Sequence, residues 1–387
     1  MESVKRTRIS ARRVVTPLEI LTDAIVEFSD GTVRLVETEG ENSRAMPADV
    51  SGHLLIPGMI DLHVNGSGGR DAAEGTFEAL EKMSLSAAGR GCTGFLPTLI
   101  TDRAPTLIER LSHLSAAMAE ECPAAAPLGI HLEGPFLNPA KRGAHPEECI
   151  QQPDAARLQE FVRAAAGRLK MLTMAPEGKG GLELIQMARD HLPIVSIGHS
   201  NADYVTALQA IAAGANLATH LYNAMPPLHH REPGLVAAVL DSNDISAEII
   251  ADGIHVHPAM IRLMARCIGL ERVILVTDAI SAADMPDGTY RVGSVMATVR
   301  DGVCRVEDGR LAGSTLTMEA GLKNLVDWLE RPFGADLSAI VSTATLQPAQ
   351  LLGLENKGAI RPGADADLVL MDERFKVQKT WVAGKLV

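Results

Sequence analysis

Four acid or imidazole side chains in this 387-residue chain stand where apolar runs stop: Glu133 after GIHL, His199 after IVSIG, His220 after NLAT and Asp278 after RVILVT. Glu133, His199 and His220 together offer one carboxylate and two imidazoles. That set suits Zn²⁺ or a similar first-row cation with one position left open for water, and iron, cobalt or manganese would also fit. Asp278, arriving from a different run, then has the place of a general base that deprotonates the water. Polar residues gather at one further point of the same kind, where Asp61, His63 and Asn65 close the run PGMIDLHVN, and Asn223-Ala224-Met225 extends the group that begins with His220. A polar residue at the end of one strand is ordinarily just solvated. Five coincidences of this kind point to a shared rim.

The elements that must carry them are legible in the alternation of apolar runs with helical patterns, which signals a parallel α/β fold. Candidate strands are PGMIDLHV, GFLPTLI, PLGIHLE, LKMLTMA, IVSIGH, NLATHL, AEIIADG and RVILVTD. Between them run Ala- and Leu-rich stretches such as FEALEKMSLSAAGRG and DYVTALQAIAAGA, each closing on Gly like a helix C-cap. Eight such units suit a closed (β/α)₈ barrel, whose chemistry sits at the C-terminal ends of its strands. No G-x-G-x-x-G opens a helix after the first barrel strand, and GSGG at Gly66 to Gly69 reads as a flexible loop.

Both chain ends look different. RRVVT, DAIVEF, the turn SDGT and VRLVET near the start match GAIRPGADADLVLMD and KVQKTWVAGKLV at the finish. Neither end alone has enough strands for a stable sheet. The expectation is one small β-domain, residues 1–56 plus 351–387, with a catalytic barrel of residues 57–350 inserted into it; two independent caps are the alternative.

With 46% hydrophobic and 22% charged residues the chain has the composition of a globular enzyme. A net charge of −12 and 3% aromatics argue against nucleic-acid and anionic-membrane partners. No apolar run reaches membrane-spanning length, and no apolar segment follows MESVKRTRIS as a secretory signal requires. The five cysteines (Cys92, Cys122, Cys149, Cys267 and Cys304) are scattered and contain no C-x-x-C pair, which fits a reducing cytoplasm.

The strings PGMIDLHVNG, GIHLEGPFLNPAKRGAHPEE, SIGHSNADY, THLYNAMPPLHHREPG, ADGIHVHP, LVTDAIS and LAGSTLTM resemble, in this order, the amidohydrolase superfamily. Within it they are most similar to the N-acetylglucosamine-6-phosphate deacetylases, from about residue 50 onward. The resemblance implies a distorted barrel with a small β-sandwich built from both ends. It implies a metal held by Glu133, His199 and His220, with Asp278 as the acid/base. It assigns substrate contacts to Ala144, His145, Asn223, Ala224, Arg231 and His255, with Leu311, Ala312 and Gly313 closing over the sugar. The implied reaction removes acetate from an N-acetyl amino-sugar 6-phosphate, in a homodimer. Arg231 can grip a phosphate bidentately. The galactosamine epimer, and another amidohydrolase such as a cyclic amidase or deaminase, are the alternatives; a relative that has lost catalysis would usually have lost ligands.

One departure stands out. Many superfamily members carry H-x-H at the end of strand one, where this chain has His63-Val64-Asn65. An amide oxygen is a poor ligand beside an imidazole, so His63 marks a second metal position expected to be weak or absent. His255-Val256-His257 has the H-x-H spacing but follows strand seven, so His257 reads as structural. His229, His230, Lys141 and Arg142 read by default as exposed loop residues, and nothing near Cys149 suggests an activated thiolate.

Overall fold

The computed structural model describes residues 6–38 and 48–387. The first half of the N-terminal stretch MESVKRTRIS, Met1 to Lys5, lies outside the described residues.

Eight parallel strands form the barrel: Met59–Val64, Cys92–Ile100, Ile130–Glu133, Leu169–Met174, Ile194–Ile197, Leu217–Ala218, Ser246–Ile250 and Val273–Val276, hydrogen-bonded in that order. Each coincides with one of the apolar runs identified in the sequence, although Cys92–Ile100 and Ser246–Ile250 begin before the runs GFLPTLI and AEIIADG. The ring closes between the first and eighth strands just past their ends. There Asp278 N donates to His63 O at 3.0 Å and Asn65 N donates to Ala279 O at 2.8 Å. Lower down, the Asp61 carboxylate accepts the Thr277 hydroxyl at 2.6 Å. Burial drives the Asp61 pKa up to about 7 against that hydrogen bond.

Because side chains alternate along a strand, the barrel interior is layered. Leu96, Met171, Ile194 and Leu217 belong to one buried apolar cluster. Two residues farther along their strands stand Thr98, Thr173, Ser196 and Thr219. With His131 they form a buried hydrogen-bonded layer: His131 Nε2 to Thr173 Oγ1 2.8 Å, Thr173 Oγ1 to Thr219 Oγ1 2.8 Å, and Ser196 Oγ to Thr219 Oγ1 2.6 Å. The chemistry-bearing residues lie one layer above. Around the strands, helices such as Phe77–Gly89 and Tyr204–Ala212 are capped by Thr76 and Asp203, whose side chains accept from Ala79 N and Thr206 N.

The two chain ends do pair. Thr7–Val15, Ile20–Ser29, Thr32–Thr38 and Val50–Pro57 join Leu368–Met371, Val377–Val382 and Lys385–Leu386 in one seven-stranded sheet. The joint is antiparallel, Leu368 opposite Pro57 through Met371 opposite Leu54.

Two local features differ from expectation. Gly66 to Gly69 is not a loose loop: Gly66–Ser67 pairs with Arg70–Asp71, and Gly68 N and Gly69 N donate to Ala283 O and Ser281 O. After the eighth strand comes a three-stranded antiparallel insertion, Gly288–Val292, Val295–Arg300 and Val303–Val306, which delivers Arg310 and Leu311 to the barrel mouth.

Candidate metal centre and active site

Glu133 is the last residue of its strand, whereas His199, His220 and Asp278 each sit two residues past theirs. Their backbones explain why. His199, His220 and Asp278 have φ of 47°, 31° and 49°, in the left-handed region that non-glycine residues seldom occupy. The reversal turns each side chain inward over the polar layer. Such strain persists only where the surrounding structure enforces it. Gly143 serves the same end from above: at φ 56° it crosses the His199 ring, and a Cβ there would lie 2.9 Å from His199 Cε1.

Three candidate ligand atoms converge. Glu133 Oε1 is 3.0 Å from His199 Nε2 and 3.2 Å from His220 Nε2, and the two nitrogens are 3.1 Å apart. Ligands about 2.0–2.1 Å from a tetrahedral ion stand about 3.3 Å from one another, so this triangle is close to one face of such a site. His199 Nδ1 lies 2.9 Å from the Lys141 carbonyl, which can only accept. Nδ1 therefore carries the proton and Nε2 of the neutral ring presents a lone pair. Burial first, then the neighbouring His145, pushes the His199 pKa down to about 4, which keeps that ring neutral. A lone pair facing a carboxylate oxygen calls for a cation between them, and the donor set fits a divalent metal.

His145 completes a cluster with Glu133 and His199 whose ligand atoms all lie within 4.8 Å of one another. Its chemistry is the reverse of His199. The Thr101 N–H donates to His145 Nδ1 at 3.2 Å, so the neutral ring carries its proton on Nε2, 3.4 Å from Glu133 Oε2. His145 thus offers a hydrogen-bond donor where His199 offers an acceptor. Burial opposes ionisation of Glu133, yet the nearby charge of His63 and the hydrogen bond from His145 Nε2–H hold its pKa well below the usual carboxylate range.

Asp278 faces this group across the mouth. Its Oδ1 accepts from Asn65 Nδ2 at 2.8 Å and lies 3.3 Å from His63 Nε2. His63 itself is fully buried, its Nε2 also 3.4 Å from Glu133 Oε2. The same four carboxylate and imidazole groups line a cavity of about 340 Å³, along with Ala144, His145, Asn223 and Ala224. Its outer wall includes His255, Leu311 and Gly313. The His255 Nδ1 is held 2.7 Å from Asp252 Oδ2. Ala312 turns instead into an apolar cluster with Ile100 and Ile280. Arg231 is not in this cavity: it lines a separate depression with Asn201 and Pro226, its Nη1 2.8 Å from His230 Nε2. His257 caps the helix Pro258–Ile268, its Nδ1 accepting from Ala259 N.

The amidohydrolase family model matches residues 54–387. The chain belongs to the amidohydrolase family. It is 36% identical to N-acetylglucosamine-6-phosphate deacetylase of Vibrio furnissii, over 97% of this chain and 94% of that one. It is 35% identical to N-acetylgalactosamine-6-phosphate deacetylase of Escherichia coli O157:H7, over 98% of each. Among solved structures it is similar to an N-acetyl-D-glucosamine-6-phosphate deacetylase variant of Mycobacterium smegmatis in complex with N-acetyl-D-glucosamine-6-phosphate. There the TM-score is 0.92 and the identity 32%, over 99% of both chains.

Several residues of this amidohydrolase escaped the sequence reading. From its type and spacing Asn65 is only a poor metal ligand; in the structure it is the hydrogen-bond donor to Asp278. Lys141, set aside as a loop cation, lines the cavity and donates Nζ to Met225 O at 3.1 Å. Arg310 lines it too, and its guanidinium bonds Asp308 and the Gly143 carbonyl. The three-stranded insertion that brings Arg310 was not foreseen. Glu248, in the middle of the apolar run AEIIA, was the detectable anomaly: it is fully buried beneath the cluster.

Proposed function

We propose that this amidohydrolase hydrolyses the acetamide of N-acetyl-D-glucosamine 6-phosphate to D-glucosamine 6-phosphate and acetate, a step of amino-sugar breakdown. The observation that carries the reading is the triangle of Glu133 Oε1, His199 Nε2 and His220 Nε2 facing Asp278 across one cavity. The substrate rests on near-full-length relatives named for it and on the sugar phosphate bound in the Mycobacterium smegmatis structure.

Glu133, His199 and His220 would hold one divalent ion per chain, most suitably Zn²⁺. Bound there, it supplies a lowered pKa for water and polarisation of the acetamide carbonyl. Asp278, steered by the Asn65 amide, takes the proton from the attacking water and returns it to the sugar nitrogen as acetate leaves. The His145 Nε2–H donates to the acetamide oxygen as negative charge develops on it. Asn223 and Ala224 border the sugar on one side; Leu311, Gly313 and the turn through Ala312 border it on the other. His255, oriented by Asp252, faces the phosphate end; Arg231, which lines a separate depression in this structure, would have to swing in from its loop to clamp the phosphate.

The chain divides into a small β-domain, 1–56 with 351–387, and the barrel at 57–350; the shared seven-stranded sheet supports that division. A homodimer is our reading of the assembly, supported by the exposed apolar side chains Val205, Leu208 and Leu228. Among the described residues no helix is long and apolar enough to cross a membrane. We place the enzyme in the cytoplasm.

Acetate release from the glucosamine and galactosamine epimers, with bound metal quantified on the same sample, tests the reading. The epimer question is real because one relative acts, by its name, on the galactosamine compound. Faster turnover of that epimer would exchange the two substrates; no release from either would end the proposal.

A further inference from the structure

Glu248 is a carboxylate with no solvent exposure in the strand Ser246–Ile250, flanked by Ala247 and Ile249. Burying a charge there is costly unless it is paired and hydrogen-bonded. Among the described residues no lysine or arginine pairs with it, and its one ionic contact is His63. One oxygen does all the bonding. Oε2 accepts from the His220 main-chain N–H at 3.1 Å and lies 3.3 Å from His63 Nδ1, while Oε1 has no hydrogen-bond partner. The Glu248 carbonyl also accepts from Leu221 N at 2.9 Å.

Both contacts act on residues at the reacting centre. His220 sits at φ 31°, a backbone state that needs outside support, and its N–H is tied to Oε2 while the next N–H is tied to the Glu248 carbonyl. His63, stacked on His220 at a ring separation of 5.8 Å, reaches Glu133 Oε2 and Asp278 Oδ1 with its Nε2. A carboxylate on Nδ1 sets where that ring points, as it does for many metal-site histidines.

We infer that Glu248 is a positioning residue: one buried carboxylate oxygen clamps the His220 turn and aims the His63 ring, so that Glu133, His220 and Asp278 keep the spacing the reaction needs. The inference rests on the proposed metal site and adds a residue from strand seven that touches neither substrate nor metal.

Two variants and Co²⁺ alone as probe test it. Glu248→Leu fills the space without an acceptor; Glu248→Gln keeps a neutral acceptor of the same shape. Co²⁺ affinity by chelator competition, the visible spectrum of the Co²⁺ protein, and kcat and KM are measured for each, with circular dichroism as the folding control. Partners of this kind contribute on the order of 10–100-fold to metal affinity or activity. The expected result is a Leu variant that is folded, binds Co²⁺ at least tenfold more weakly with an altered spectrum, and loses kcat with little change in KM. The Gln variant should fall between it and the parent. Parent-like affinity and spectrum in both variants overturn the inference. If the Leu variant does not fold, the Gln variant decides, and unchanged Co²⁺ affinity and spectrum there overturn it. A parent protein that takes up no Co²⁺ defeats the metal reading itself, a failure seen before any variant is made.

Discussion

Replacing Asp278 by Asn separates proton transfer from metal binding, because the side chain keeps its shape and loses its basicity. Nothing in the triangle of Glu133, His199 and His220 is touched. Among the described residues the Asp278 carboxylate accepts from Asn65 Nδ2 at 2.8 Å and lies 3.3 Å from His63 Nε2. Metal content and KM should therefore stay near those of the parent. Positioned acid–base groups contribute typically about 10²–10⁴-fold, and each tenfold corresponds to about 1.4 kcal/mol of barrier. Asp278→Asn should thus lose at least about a hundredfold in kcat, about 2.7 kcal/mol. The Asn65 amide gives a finer check. A hydrogen bond to a charged group contributes about 1.5–3 kcal/mol, so Asn65→Leu should cost about 10–100-fold in kcat. In the Asp278→Asn background, where the charge is gone, Asn65→Leu should cost much less. The assay is acetate release from N-acetylglucosamine 6-phosphate, with kcat and KM resolved and metal quantified. A fall of less than about tenfold for Asp278→Asn would refute the assignment and leave Asp278 as an anchor of the barrel closure. So would full additivity of the two substitutions, since they would then act independently.

His199→Ala removes the one proposed ligand whose tautomer is dictated by the Lys141 carbonyl; loss of stoichiometric metal and of activity is expected with a folded barrel, and a metal-free variant with near-normal turnover would contradict it. Arg231→Ala should reduce kcat/KM for the phosphorylated sugar by a few kcal/mol more than for the unphosphorylated one, and equal losses would mark Arg231 as structural. Extensively dialysed, fully active enzyme should retain one metal per chain, because Asn65 points its amide at Asp278 instead of completing a second ligand pair; two retained ions, with activity halved when one is stripped, would show the opposite. Burial raises Asp71 from 3.8 to about 6, so the fold binds its proton more tightly than the unfolded chain does. Its contribution is fully present below about pH 4 and lost as pH rises through about 6. Stability of Asp71→Asn should accordingly fall less than that of the parent between pH 4 and 6 in denaturant melts, and parallel curves would disprove the shift.

The barrel was legible because its determinants are local. Eight apolar runs such as RVILVT and IVSI, each followed by a helical stretch, leave few other ways to bury both faces of a parallel sheet. Polar residues at the ends of those runs were visible for the same reason, and so Glu133, His199, His220 and Asp278 could be named from the chain alone. Residue type, however, does not say which atom of a histidine carries its proton. His145 and His199 are the same side chain, made opposite by partners far away in the chain: the Thr101 amide for one and the Lys141 carbonyl for the other. Asn65 meets Asp278 across 213 residues because barrel closure brings the first strand against the eighth, and Glu248, on the strand next to the eighth, meets His63 across 185 residues inside the closed ring. The local pattern sets which residues reach the rim. Hydrogen-bond partners, tautomers and charge pairing there are set by strands that become neighbours only when the ring closes, and so belong to the tertiary structure.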